Sequence, residues 1–150
     1  MNDDDRALAW VDQIAMHLAR DGVSPIAGRV LGWLMICDPP EQSAAQISEA
    51  IGASRASLTM NLRLLTGMGF LSRRTRPGDR TMFYRMADDA WQTVVRRQVA
   101  GIAAFLDITR QGLDLVGPDG ERAGRIRQAH ATFDWMAHVF GNAPPLEEKP

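Results

Sequence analysis

At 150 residues, 45% of them hydrophobic, the chain fits one domain, or one domain with a dimerisation extension. It lacks the apolar run of about 18 residues that a membrane span needs, its acidic start Met1-Asn2-Asp3-Asp4-Asp5 lacks a basic secretory n-region, and its single Cys37 excludes an internal disulfide or a multi-cysteine zinc site. A cytoplasmic protein is expected. The net charge of −1 excludes a generally basic protein, yet residues 54–85 hold seven arginines against one acid while the remainder is acidic.

In chain order, Asp4 or Asp5 caps a first helix to about Arg20, with Leu8, Val11, Ile14, Ala15 and Leu18 at helical spacing. Ser24-Pro25 opens the next, where Gly28 and Gly32 stand one turn apart and permit close approach of another helix. Asp38-Pro39-Pro40 breaks the chain. Ser43 and Gln46 form a capping box for a short third helix carrying Ile47, Ala50 and Ile51, and Gly52 stops it. Ser54 opens a fourth helix with Leu58, Leu62 and Leu65 inward. Phe70 to Thr75 and Thr81 to Arg85 then flank the turn Arg76-Pro77-Gly78-Asp79-Arg80. Asp88-Asp89 caps a long helix that bends or frays near Gly112. Gly117-Pro118-Asp119-Gly120 is a loop and a new cap, and a last helix ends at Gly141. Residues 142–150 read as a disordered tail.

The expected fold is mainly α with a small β-wing. A winged helix-turn-helix core over 24–87 is flanked by dimerisation helices over 1–23 and 88–141, whose apolar faces exceed what the core between them can cover. At 100° per residue, the face of the fourth helix opposite its leucines holds Ala56, Thr59, Met60 and Arg63, with Arg55 and Ser57 in the first turn. These residues, with Ser43, Ser54, Arg73, Arg74, Arg76 and Arg80, form the candidate DNA-binding set. Arginine forks suit phosphates and guanine edges, while Ala56 and Met60 suit a thymine methyl. Asp79 is expected to orient Arg80 or a neighbouring arginine, or to cap the turn. Arg73 and Arg85 have a second reading as partners of acids on the body.

The run GRVLGWLMICDPPEQSAAQISEAIGASRASLTMNLRLLTGMGFLSRRTRPGDRTMFYRM resembles the MarR family of bacterial winged-helix regulators, and within it the GbsR-like branch of glycine-betaine-synthesis repressors. Gly78-Asp79-Arg80 falls where that family carries its wing Asp and Arg. The resemblance implies a homodimer on double-stranded palindromic operator DNA and a small-molecule or stress signal that changes affinity. It fixes no sensing residues. Trp10, Trp33 and Trp91 are candidates for a pocket, where an aromatic cage would take a quaternary amine. Core packing is their other reading. His130, Asp134 and His138 share a helix face, but no metal and no cofactor is expected. No Gly-rich phosphate loop, H-E-x-x-H or G-x-S-x-G is present, so an enzyme is not expected. The sequence thus points to a repressor, with a winged-helix protein–protein interaction module as the alternative.

Overall fold

The structure is a computed structural model and describes residues 2–145. Over these residues run α1 (Asp3–Ala19), α2 (Pro25–Ile36), β1 (Gln42–Ser43), α3 (Ala44–Ile51), α4 (Arg55–Gly67), β2 (Leu71–Thr75), β3 (Met82–Met86), α5 (Ala90–Val116) and α6 (Glu121–Gly141). The expected tail lies outside the described residues from 146 onward. The chain divides into two compact units, Met1–Trp91 and Gln92–Pro150.

In the first unit, local sequence sets most helix ends. Ser24 and Ser54 accept the amides of Ala27 and Ser57, and Ser43 and Gln46 close the expected capping box. Gly52 ends α3 in the left-handed conformation, at φ 65°. The start of α1 differs from expectation. Its cap is Asn2, whose side chain accepts the Asp5 amide while Asp5 bonds back. A run of acids after an asparagine offers several capping frames, and the one with a reciprocal box is adopted.

The core joins Val11 of α1, Val30 and Leu31 of α2, Ile47 and Ile51 of α3, and Leu58, Leu62 and Leu65 of α4, all but fully buried. Two glycines of α2 bring α1 close. A Cβ on Gly28 would lie 2.8 Å from Cα of Ala15, and one on Gly32 would lie 3.1 Å from Cα of Val11. Arg29 of α2 ties three helices together. Its Nη1 donates to the Ile51 carbonyl at 2.7 Å, and its Nε lies 2.9 Å from the Asp12 carboxylate as an ion contact outside hydrogen-bond geometry. The sheet has the order β1-β3-β2 and is antiparallel throughout, with Ser43 and Arg74 both opposite Phe83. The two-residue β1 has no signature of its own in the sequence. It exists because β3 offers it a ladder.

The second unit pairs the remainder of α5 with α6. Phe105 and Phe133 stack with centroids 4.4 Å apart, and Thr109 Oγ1 lies 2.6 Å from His130 Nδ1. Helix α5 runs on through Gly112, where the sequence suggested a bend or fraying, to Val116. A Cβ at Gly112 would meet the Ile126 side chain at 3.4 Å, an ordinary contact between the two helices. The loop before α6 supplies no side-chain cap, since Gly120 occupies the N-cap at φ 104°.

Candidate nucleic-acid interface

Helix α4 is oriented from both sides. Leu58, Leu62 and Leu65 anchor its inner face. At its outer turn, Ser24 Oγ donates to Asn61 Oδ1 at 2.8 Å, and Asn61 Nδ2 donates to the Ser57 carbonyl. What remains exposed is the predicted face: Arg55, Ala56, Thr59, Met60 and Arg63, beside the capping Ser54 and the half-buried Ser57. Met60 is 73% exposed, a large apolar side chain presented to solvent on a helix whose other face is fully covered. Thr59 Oγ1 donates to the Arg55 carbonyl at 2.8 Å.

Ser43 belongs elsewhere. The sequence grouped it with the DNA-facing residues, but it is buried and its hydroxyl accepts the Gln46 amide. It builds α3 rather than meeting a ligand.

The wing is a β-hairpin closed by a type II turn, with Pro77 second, Gly78 third at φ 76°, and the Asp79 amide donating to the Arg76 carbonyl at 3.0 Å. Asp79 caps this turn. Its Oδ1 accepts the Thr81 amide at 2.8 Å, and that bond first of all holds its carboxyl below the usual carboxylate range. It does not hold Arg80. The seven arginines of the basic segment divide by partner. Arg85 pairs with Asp88, which the sequence had assigned to capping α5. Arg74 and Arg76 both engage Glu41. Arg55, Arg63, Arg73 and Arg80 are exposed and their guanidinium groups have no acid partner among the described residues. So Arg73, for which an acid on the body was the second reading, has no such partner among the described residues, and Arg74 and Arg76 do.

The three tryptophans do not form a shared pocket. Trp33 lines a cavity of about 490 Å³ with Asp4, Leu8, Ile36, Cys37 and Ala50, and its Nε1 donates to Gln42. Trp91 instead packs edge-on against Phe70, and Trp10 lines neither that cavity nor that contact. Burial pushes the Cys37 thiol up, which opposes the thiolate that redox chemistry needs. His130 is drawn to Thr109 and His138 to the Asp134 carbonyl, so the two imidazoles do not converge. Among the described residues, no three His, Cys, Asp or Glu are grouped to hold a metal ion, and no helix is long and apolar enough to cross a membrane.

The exposed, leucine-backed helix and the arginine hairpin behind it define a winged helix-turn-helix protein of the DNA-binding class. A family model described as an MmpR5-like MarR family transcriptional regulator matches residues 89–142. The chain is 29% identical over 137 residues to the HTH-type transcriptional regulator MmpR5 of Mycobacterium tuberculosis, covering 91% of this chain and 83% of that one. It is also similar to a crystal structure described as a transcriptional regulator, with a TM-score of 0.76 and 28% identity over 91% of this chain and 94% of that chain. In sequence and fold the chain is thus similar to MarR-type winged-helix transcriptional regulators. The relatives matched are MmpR5-like, whereas the branch suggested by the sequence was GbsR-like.

Proposed function

We propose that the protein binds a palindromic operator as a homodimer and represses transcription until a small-molecule or stress signal lowers its affinity. One observation carries the DNA reading. Among the described residues, the outer face of α4 and the wing of the same unit expose four arginines without an acid partner, on a chain that is otherwise acidic. In this reading α4 enters the major groove, with Arg55, Ala56, Thr59, Met60 and Arg63 toward base edges and phosphates. Arg80 at the turn reaches the adjacent minor groove, where negative potential is concentrated. Exposed apolar side chains on α1, α5 and α6, among them Met16, Ile108, Leu115 and Trp135, support a second copy as their cover. Such a regulator works in the cytoplasm. The cavity at Trp33 joins an aromatic ring to the Asp4 and Asp38 carboxylates, which makes an organic cation the first effector to try.

Salt decides between this and a module that binds protein partners. Affinity for duplex DNA is expected to fall about 10³-fold or more between 50 and 200 mM salt, as counterions released by several phosphate contacts dictate. Arg80→Ala is expected to flatten that dependence in a fluorescence anisotropy titration. Retention that ignores both salt and Arg80 would leave the protein-partner module as the function.

A further inference from the structure

The sheet sorts the wing arginines onto two faces. Residues directly opposite in an antiparallel ladder share a face, and neighbours along a strand alternate. Arg74 and Ser43 are both opposite Phe83, so these three lie on one face, while Arg73, opposite Tyr84, lies on the other. Glu41, two residues before Ser43, reaches the Arg74 face with a side chain only 8% exposed. Its two oxygens serve different arginines. Arg74 Nε donates to Oε2 at 2.5 Å, while Arg76 Nε and Nη2 donate to Oε1 at 3.4 and 3.3 Å. The Arg76 guanidinium carbon also sits 3.8 Å from the centre of the Phe83 ring, so this cation is held by a carboxylate and by an aromatic face.

A carboxylate and a phosphate compete for the same guanidinium fork. An exposed pair would yield readily, but Glu41 is buried. Drawing both arginines away would leave the Glu41 carboxylate without a cation partner. We propose that Glu41 is a positioning residue for DNA recognition: it straps the wing to the body and withholds Arg74 and Arg76 from phosphate, leaving wing contacts to Arg80 and Arg73. This rests on the reading that the chain binds duplex DNA. Released from the strap, the wing gains two sequence-blind cations and the freedom to tilt. Attraction to any duplex then rises while discrimination falls, because phosphate contacts carry no base information.

The test uses the full chain and two 30-base-pair duplexes, one of mixed sequence and one selected by the wild-type protein from a random pool. Binding is read by anisotropy between 50 and 200 mM KCl. Glu41→Gln is expected to bind the mixed duplex about tenfold tighter at 50 mM. Its log–log salt slope should steepen by about 1–2 per protomer, at roughly 0.9 for each added phosphate contact. Its preference for the selected duplex should shrink. In the wild-type background Arg80→Gln should flatten the slope and Arg74→Gln should not; in the Glu41→Gln background Arg74→Gln should reverse part of the gain. An unchanged slope and preference in Glu41→Gln overturn the strap alone. So does an Arg74→Gln effect equal to that of Arg80→Gln in the wild type, a comparison that decides the matter even if Glu41→Gln fails to fold. A wild-type protein that retains neither duplex in a salt-dependent way overturns the DNA reading, and the strap with it.

Discussion

Gly28 and Gly32 show how much of the first unit hangs on single atoms. An alanine methyl at Gly28 would meet the Cα of Ala15, and backbone cannot swing aside as a side-chain tip can. Helix α1 would have to back away from α2 and loosen Val11 and Ala15, both buried in that seam. Gly28→Ala is therefore expected to cost about 1–3 kcal/mol, the usual range for overpacking, and to lower the melting temperature by several degrees. Gly101 is the internal control. It lies inside α5, and a methyl group there would find nothing within 4 Å, so Gly101→Ala is expected to be neutral or to gain up to about 1 kcal/mol from helix propensity. Thermal unfolding followed by circular dichroism separates the two, and equal melting temperatures would mean that α1 and α2 are not so closely packed. The residue scale is also where sequence reading succeeds or fails by range. Gly28 and Gly32 were legible because their spacing of one turn has a local meaning. Glu41 was not: it is a lone acid between Pro40 and Gln42, and its partners lie 33 and 35 residues away. Nothing local distinguishes it from a solvated surface glutamate.

Among elements, those with local punctuation were readable and those defined by a neighbour were not. Ser24-Pro25, the Ser43–Gln46 box, Gly52 and Ser54 mark helix ends through bonds spanning only a few residues. By contrast, β1 depends on β3, some forty residues on. The exposed side of α4 followed from its leucine period, but the division of the wing arginines needed the register of the sheet. That division carries a pH consequence for the wing. The hydrogen bond from Arg74 first of all, with Arg76 adding to it against the opposing effect of burial, holds the Glu41 carboxyl below its ordinary value. A carboxyl with a depressed folded pKa stabilises fully above its unfolded pKa, about 4.3 for glutamate, and loses that contribution as pH falls through the lower folded value. The stability difference between wild type and Glu41→Gln is thus expected to be flat from pH 8 to pH 5 and to narrow only below about pH 4. Urea midpoints across that range check it. A difference that changes between pH 6 and pH 8 would mean that another group governs the wing.

For the molecule as a whole, the second unit raises the question of what covers its helices. Ile108 and Leu115 stand seven residues apart on α5, and Trp135 and Val139 four apart on α6, so each pair shares a helix face. Leu115 is 83% exposed and Trp135 66%. Leaving such side chains in water forgoes roughly 25 cal/mol for each Å² of apolar surface that could be covered. Exposed apolar side chains gathered on a helix face are the usual mark of a surface that another chain covers. With a second copy as the cover, a charge placed on this face must be buried without a partner when two chains meet, which is among the costlier changes at an interface. Leu115→Glu is accordingly expected to shift sedimentation equilibrium from twice the chain mass toward the chain mass at micromolar concentration. The far-ultraviolet spectrum should stay that of a helical protein, because Leu115 is not buried within its own chain. DNA affinity should fall with dimerisation, since a single winged helix reads half a palindrome and loses the gain from two linked readers. Should Leu115→Glu and Trp135→Glu both leave the mass and the DNA affinity as in the wild type, the exposed face of α5 and α6 is not where the copies meet, and the paired-reader geometry would have to be built on α1 alone.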